Sequence, residues 1–269
     1  MKNERLTDER YWDKAWEDVG VGGEADLGRF KRLLLEPPST RILWDRILPR
    51  FLPKGGGRRI IELGSAPGRN LLAWKARFGY EVFGADFSET GMAVQRKLFA
   101  RQGLDESRSI LGDVLARDFR RAHAEAYDIV YSAGLIEHFS EPREIIETHL
   151  GILKPGGFLV VGIPNIAGIY RHVLPPEVVA AHNLEIMKLP RFRALLDMPG
   201  LERLYCAYFG GLNLGIAFGD DTVFRRALPK LQMVANLVSR VVPIPENRWT
   251  SPYLLYVGRK QSGRQAALG

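Results

Sequence analysis

Short apolar runs alternate with stretches of helical periodicity between residues 58 and 163. This rhythm is typical of βαβ units, in which helices connect parallel strands. The runs are rich in valine and isoleucine, as expected for a sheet that is buried on both faces. We predict strands at Arg59–Leu63, Tyr80–Ala85, Arg108–Leu111, Tyr127–Ser132 and Phe158–Ile163, and helices at Asn70–Phe78, Glu89–Arg101 and Pro142–Leu153.

The rhythm loosens after Pro164, where a loop and a helix are expected over residues 165–200. Two further strands, at Leu201–Gly210 and Ser251–Arg259, flank a long apolar helix at Asp221–Val241. We therefore expect an α/β fold with a doubly wound, mostly parallel, seven-stranded sheet, N-terminal helices and a helical lid or insertion late in the chain. The predicted division is a helical cap at 1–57, a main domain at 58–260 with substrate or lid segments at 163–200 and 211–250, and a tail at 261–269.

The charge balance is basic but does not select a partner. The 269 residues contain 38 Lys and Arg against 31 Asp and Glu, which gives a net charge of +7. Such a balance is compatible with nucleic acid, anionic lipid or acidic small molecules. The basic residues occur in scattered pairs, which favours an ordinary solvated surface.

Cysteine content and hydrophobic patterning limit the cellular context. Cys206 is the only cysteine, so no intrachain disulfide can form, and its strand-like surroundings predict an inert buried thiol. The N-terminus lacks the apolar core of a secretory signal, and no run of about 18 apolar residues is present. We expect a cytoplasmic protein.

A glycine loop follows the first predicted strand, with the sequence Gly64-Ser65-Ala66-Pro67-Gly68. Glycine permits a ligand to lie against bare backbone, whose amides then face it. A tight strand-to-helix turn explains the same pattern without a ligand. Asp86, at the end of the second strand, can accept both hydroxyls of a ribose. Since the dinucleotide spacing of glycines and a phosphate-binding lysine are both missing, a nucleoside without phosphates fits best.

Five motifs in order resemble the class I S-adenosylmethionine-dependent methyltransferases, over roughly residues 40–165. They are Glu62-Leu-Gly-Ser-Ala-Pro-Gly68, Asp86, Gly112-Asp113-Val114, Tyr127-Asp-Ile-Val-Tyr131 and Leu153-Lys-Pro-Gly-Gly157. The resemblance implies a Rossmann-like methyltransferase fold with S-adenosylmethionine as cofactor and S-adenosylhomocysteine as product.

The same resemblance implies roles for individual residues. The glycine loop would carry the methionine part and the ribose, and Asp86 would hold the ribose hydroxyls. Asp113 would bond the adenine amino group, with Val114 beside the ring, and Glu62 would organise the charged amino end of the cofactor. The complete set of expected cofactor residues is Tyr11, Trp12, Glu62, Gly64, Ser65, Ala66, Gly68, Asn70, Asp86, Phe87, Asp113, Val114, Ser132 and Ala133.

Aromatic residues open the chain in the stretch Tyr11-Trp12-Asp13-Lys14-Ala15-Trp16. It resembles the N-terminal helix of several small-molecule methyltransferases, in which such aromatics close over cofactor and substrate. A sulfonium cation is attracted to aromatic faces. Packing of the helix on the core is the alternative interpretation.

Two histidines are candidates for the general base. His138 follows the fourth strand, and the sequence around it resembles the Glu-His pair of ubiquinone-type O-methyltransferases; a structural or cofactor-shaping role is the alternative. Some of those enzymes carry an acidic residue three positions before the glutamate. Gly134 stands there in this chain, so no metal site of that kind is expected. His182 is the second candidate, and His172 and Tyr170 are weaker ones.

Methylation of a small molecule, at oxygen before nitrogen, is the favoured function. An RNA or protein methyltransferase is the first alternative, supported by the basic charge alone. A non-catalytic S-adenosylmethionine-binding module is the second. The 211–250 segment packs on the core in one interpretation. In the other it covers a hydrophobic substrate or contacts a membrane surface or a second copy of the chain.

Overall fold

The computed structural model describes residues 5–17, 36–211, 213, 232–234, 236–239 and 245–262. These residues form a seven-stranded sheet with the strand order β3-β2-β1-β4-β5-β7-β6. The strands are β1 (Arg59–Leu63), β2 (Glu81–Asp86), β3 (Ser109–Leu111), β4 (Tyr127–Ala133), β5 (Leu153–Pro164), β6 (Leu201–Phe209) and β7 (Tyr253–Lys260).

Strand directions match the predicted doubly wound arrangement. Strands β1 to β5 pair in parallel, and β7 pairs antiparallel with both β5 and β6. The seven-stranded, mostly parallel sheet of the Rossmann-like methyltransferase fold is thus confirmed. The strand order reverses between β1 and β4, and ligands of such sheets bind outside the carboxyl ends of the strands at that point.

Helices cover both faces of this sheet. They are α1 (Glu9–Glu17), α2 (Pro38–Arg41), α3 (Leu48–Phe51), α4 (Arg69–Phe78), α5 (Glu89–Ala100), α6 (Arg117–Ala122), α7 (Arg143–Ile152), α8 (Pro176–Ala180) and α9 (Leu189–Leu196), with a π-helical segment at Ile42–Ile47 between α2 and α3. Short 3-10 turns lie at Glu106–Arg108, Ile136–His138, Ile169–His172 and Leu184–Met187.

Sequence patterns missed helix α6 and the start of β5, and predicted one helix over residues 165–200, where α8 and α9 both lie. Helix α6 is short and polar and buries only Phe119, so it has no apolar periodicity to detect. Strand β5 begins at Leu153, five residues before the predicted start at Phe158. Gly156 lies inside this strand, where the pairing with β4 shifts register. Its φ of 78° is in the left-handed region that favours glycine.

Hydrophobic side chains pack on both faces of the sheet. Ile60 and Ile61 are adjacent and fully buried in β1, yet they belong to two different core clusters. Neighbouring side chains of a strand point to opposite faces, so the sheet separates the two clusters. Trp44 and Leu48 lie in the same cluster as Ile60. The second half of the predicted 1–57 cap therefore shares the core of the main domain, and the division at residue 57 stays a prediction.

The late part of the chain is described only in pieces. Most of the predicted helix at Asp221–Val241 lies outside the described residues; the pieces 232–234 and 236–239 are helical. Residues 263–269 of the predicted tail also lie outside them. Among the helices that the structure does describe, none combines the length and apolar character that crossing a membrane requires. Cys206 lies on β6 and is half-buried, so it is less covered than the buried thiol that we predicted; burial still raises the pKa of the thiol.

Candidate active site

A cavity of about 310 Å³ lies at the carboxyl ends of β1, β2 and β4. Its walls come from the glycine loop, the turn after β4, α1 and the segment after α8. Eight of the expected site residues border it: Trp12, Gly64, Ala66, Asp86, Phe87, Ala133, His138 and His182. The topology thus brings together residues that are up to 170 positions apart in the sequence.

The glycine loop is shaped by both backbone conformation and packing. Gly64 and Gly68 have φ values of 68° and 86°, in the left-handed region that favours glycine. A Cβ atom on Gly68 would lie 2.8 Å from Gln95 Cγ, and one on Gly64 would lie 3.0 Å from Leu135 Cδ1. Protein atoms therefore account for these glycines, and evidence for a ligand has to come from the side chains around the loop.

Asp86 connects β2 to that loop. Its Oδ2 accepts a hydrogen bond from the Ala66 amide at 3.1 Å, and its Oδ1 accepts one from the Ser88 amide at 3.0 Å. Burial raises the pKa of this carboxyl even though the amide bonds act to lower it. Each carboxylate oxygen has capacity for a second hydrogen bond. A buried acceptor is therefore available at the cavity wall.

Glu62 is buried in β1, and only one of its two carboxylate oxygens has a hydrogen-bond partner among the described residues. Asn70, in the first turn of α4, donates from Nδ2 to Oε1 at 2.9 Å. The other oxygen, Oε2, has no hydrogen-bond partner among the described residues. Burial raises the pKa of Glu62 to about 8, against the opposing effect of the Asn70 hydrogen bond. An orphaned acceptor thus lies near the end of β1, next to Asn70, which lines the second cavity described below; Glu62 itself borders neither cavity.

The carboxylate of Asp113, just after β3, is already bound by other groups of the protein. It forms an ion pair with Arg5, and its Oδ1 accepts from the Leu115 amide at 2.9 Å. The Arg5 guanidinium also lies 5.1 Å from the centre of the Phe87 ring. The place expected to receive adenine is therefore occupied by an N-terminal side chain that sequence analysis did not identify. Val114 is buried in the core and borders neither cavity described here.

Helix α1 lies over the cavity through its tryptophans. Trp12 donates from Nε1 to Thr7 Oγ1 at 3.0 Å, and its ring centre is 5.0 Å from that of His138. Trp16, one helical turn later on the same face, also lines the cavity. Tyr11 is 38% exposed and does not border it. Asp13 holds the helix in place, since its Oδ1 accepts from Ser88 Oγ at 2.6 Å.

Two imidazoles and a carboxylate lie close together in one wall of the cavity. The ring centres of His138 and His182 are 4.5 Å apart, and His138 Nε2 is 3.9 Å from Glu137 Oε1. Burial lowers the pKa of His138 to about 4 and that of His182 as well. Burial raises the pKa of Glu137 to about 8. Glu137 is the glutamate of the Glu-His pair that the sequence resemblance indicated.

Several other expected residues serve the scaffold. Ser65 donates from Oγ to Gln95 Oε1 at 2.7 Å. Ser132 lies in the core, with its Oγ 2.9 Å from His149 Nε2. His172 is exposed and accepts from Arg171, and the Tyr170 hydroxyl donates to the Thr250 carbonyl at 2.9 Å. Neither His172 nor Tyr170 borders either cavity.

A second cavity of about 350 Å³ adjoins the first along Ala133, Gly134 and Pro164. Its walls are mainly apolar and aromatic, and Asn70 is among its few polar residues. No sequence signal indicated it, because its lining comes from helices and strands that are distant in the chain. The other lining residues are Ser39, Thr40, Leu43, Trp44, Tyr131, Gly162, Ile163, Phe209, Tyr253 and Leu255.

Residues 61–161 match the sequence profile of a family described as "Methyltransferase domain". Curated relatives named ubiquinone biosynthesis O-methyltransferase include one from Caulobacter sp. (strain K31), 28% identical over 145 residues, and one from Roseobacter denitrificans, 33% identical over 148 residues. Each alignment covers 51% of this chain and 56% of the relative. The chain thus spans a little over half the length of the curated relatives it matches.

Solved structures share the fold at low sequence identity. A geranyl diphosphate C-methyltransferase from Streptomyces coelicolor, in complex with Mg²⁺, geranyl diphosphate and S-adenosylhomocysteine, has a TM-score of 0.58 at 14% identity, covering 94% of this chain and 97% of that one. An S-adenosylmethionine-dependent methyltransferase from Aquifex aeolicus has a TM-score of 0.56 at 13% identity, covering 94% and 99%. At these identities the likeness establishes the fold. The matched profile is that of a methyltransferase domain, over residues 61–161, and the sheet agrees with the fold of S-adenosylmethionine-dependent methyltransferases.

Proposed function

We propose that the protein transfers a methyl group from S-adenosylmethionine to an oxygen atom of a small, largely apolar acceptor. The observation that carries this proposal is the adjacency of two cavities. One contains the loop and Asp86, and the other is apolar; they meet at Ala133, Gly134 and Pro164. A donor in the first cavity and an acceptor in the second would approach each other along this shared edge.

The buried carboxylates suit the donor. The unpartnered Oε2 of Glu62 would accept from the charged amino group, and Asp86 would accept from the ribose hydroxyls. Trp12 and Trp16 present aromatic faces to the same cavity, where a sulfonium is attracted. When bound, S-adenosylmethionine supplies an electrophilic methyl group and leaves as the thioether once the acceptor oxygen has bonded to that carbon.

The second cavity suits the acceptor. Its aromatic walls favour an apolar body, and the edge that it shares with the first cavity is made of the compact residues Ala133, Gly134 and Pro164. Oxygen is the favoured atom because the curated relatives are named as O-methyltransferases. Holding the acceptor behind the methyl–sulfur bond is worth at most about 7–11 kcal/mol of barrier. The imidazoles of His138 and His182 line the first cavity, and burial lowers both pKa values, which favours the neutral rings that a proton acceptor needs.

Release of S-adenosylhomocysteine tests this function directly. The assay uses a panel of phenols, amines, sugars and lipids, and we expect turnover with apolar molecules that carry a hydroxyl group. With S-adenosylmethionine below saturation, Asp86→Asn should reduce the signal by about tenfold or more, whereas Asp118→Asn, at an exposed position on α6, should not change it. Stimulation by RNA instead would support the nucleic-acid alternative. Absence of turnover with tight cofactor binding would support a non-catalytic binding module.

A further inference from the structure

Glu137, His138 and His182 place three electron-pair donors at one point of the cavity wall. One ligand atom from each residue lies within 4.8 Å of the other two. Glu137 and His138 belong to the 3-10 turn after β4, whereas His182 follows α8, more than 40 residues later. The fold, and not a local sequence motif, creates this cluster.

Backbone carbonyls fix the tautomer of both imidazoles. His138 Nδ1 is 2.8 Å from the Ala181 carbonyl oxygen, and His182 Nδ1 is 2.6 Å from the Val178 carbonyl oxygen. A carbonyl only accepts, so Nδ1 carries the proton in each ring and Nε2 keeps a lone pair. Metal-binding histidines are typically oriented in this way, with the outer nitrogen donating to a carbonyl.

The carboxylate of Glu137 is buried and lacks a donor. Its side chain is completely buried, and neither oxygen has a hydrogen-bond partner in the part of the chain that the structure describes. A buried carboxylate without a partner is costly. Gly134 lies next to this carboxylate and has no side chain that could cover it. A Cβ atom at that position would lie 3.5 Å from Oε1. An orphaned acceptor thus borders the cavity beside two imidazole lone pairs.

We propose that Glu137, His138 and His182 bind one divalent metal ion, with zinc as the ion that this donor set favours. Two imidazole nitrogens and one carboxylate form a three-ligand set that leaves the fourth position of a zinc ion open. This differs from the arrangement considered from the sequence, in which Gly134 removed the third ligand. His182, from a distant segment, supplies that ligand here.

All three residues line the cavity that holds the glycine loop and Asp86. Resting on the proposed function, this ion would bind the acceptor hydroxyl and lower its pKa. The proton would leave to solvent on coordination, before the oxygen bonds to the methyl carbon. His138 would then position the ion and would not take up the proton itself. Binding of the ion alone depends on none of this chemistry.

Metal titration of the wild-type protein without cofactor or acceptor tests the site. Zinc is added in competition with a chromophoric chelator, and we expect one equivalent to bind. Cobalt(II) in its place should give the strong visible absorption of a tetrahedral site. His182→Ala and Glu137→Gln should each weaken zinc binding at least tenfold. His172→Ala removes an exposed histidine that borders neither cavity and should bind as the wild type does.

Thermal melting separates loss of a ligand from loss of the fold. If a variant does not fold, copper(II) bound to the wild-type protein is examined by electron paramagnetic resonance, where two imidazole nitrogens should couple to the metal. No saturable zinc binding, unchanged affinity in folded His182→Ala, or fewer than two coupled nitrogens would overturn the proposal. Zinc binding without any methyl transfer would keep the site and reject the proposed function. Methyl transfer without zinc binding would support the proposed function and overturn the metal site.

Discussion

Arg5 and Asp113 form an ion pair across 108 positions of the sequence, joining the N-terminal segment to the end of β3. The guanidinium also lies over the rings of Phe87 and Phe139, at 5.1 and 5.9 Å from their centres. If Asp113 accepts from the adenine amino group, this side chain has to move aside when the cofactor binds. The N-terminal segment then competes with the cofactor for one carboxylate.

Removing Arg5 should therefore tighten cofactor binding. Both partners of the pair are partly exposed, at 30% and 43%, so the interaction is of the order of 1 kcal/mol or less. We expect Arg5→Ala to raise the affinity for S-adenosylhomocysteine by about two- to fivefold in calorimetry, according to this energy.

Arg10→Ala is the matched control, because Arg10 is an exposed arginine on α1. Its affinity should equal that of the wild type. A weaker affinity for Arg5→Ala would show that Arg5 helps to build the cofactor site and does not compete with the cofactor.

Asp86→Asn should weaken cofactor binding much more strongly. The substitution keeps the size of the side chain but removes the charge that accepts from the Ala66 and Ser88 amides and, as proposed, from the ribose. Loss of hydrogen bonds to a charged group costs about 1.5–3 kcal/mol, which corresponds to roughly a 10- to 150-fold weaker affinity. Calorimetry with S-adenosylmethionine measures this change in affinity. An affinity equal to that of Asp118→Asn would remove Asp86 from the cofactor site.

The sheet was predictable because each strand carries its own signal. The alternation of apolar runs with helical patterns located the first five strands, and two later apolar runs located the others; β1 matches its predicted bounds, Arg59–Leu63. The strand ends that meet at the cavity followed from that topology, so Asp86 and the glycine loop could be named from the sequence. These features depend on residues that are close together in the chain.

The missed features depend on contacts between distant segments. Nothing in the sequence around Arg5 indicates that it pairs with Asp113, because the contact exists only after the N-terminal segment has packed on the turn after β4. The same holds for His182, which meets His138 through the placement of the segment after α8. The second cavity is likewise a product of packing and has no motif of its own.

Cofactor binding at pH 7 should release a proton from Glu62. Burial raises its pKa to about 8, so its carboxyl is mostly protonated at that pH. An ammonium group placed at Oε2 favours the charged form and lowers the pKa, which releases close to one proton per cofactor.

Calorimetry of S-adenosylhomocysteine binding in phosphate and in Tris buffer measures this release, since the two buffers differ in ionisation enthalpy. For Glu62→Gln, the binding enthalpies in the two buffers should differ only by the contribution of other titrating groups. Asp118→Asn should behave as the wild type. Equal enthalpies in both buffers for the wild-type protein would contradict the assignment of Glu62 to the amino end of the cofactor.

His149 should make the protein less stable in mild acid. Its Nδ1 lies 2.6 Å from the Ile145 carbonyl oxygen and its Nε2 lies 2.9 Å from Ser132 Oγ, so the neutral ring has a hydrogen-bond partner at each nitrogen. Burial lowers its pKa from 6.5 to about 4. Between these two values the unfolded chain binds the proton more readily than the folded one, so the free energy of unfolding falls as the pH falls.

The loss between pH 7 and pH 5 attributable to His149 is about 2 kcal/mol, from the fraction of protonated histidine in each state. Urea unfolding at the two pH values measures it, with the slope of the transition checked for constancy. In His149→Gln the difference between pH 7 and pH 5 should shrink by this amount, because the titrating group is gone. In His172→Gln, at an exposed position, it should stay as in the wild type. If His149→Gln keeps the full pH dependence, the acid sensitivity comes from other buried groups, and the neutral His149–Ser132 contact does not contribute to it.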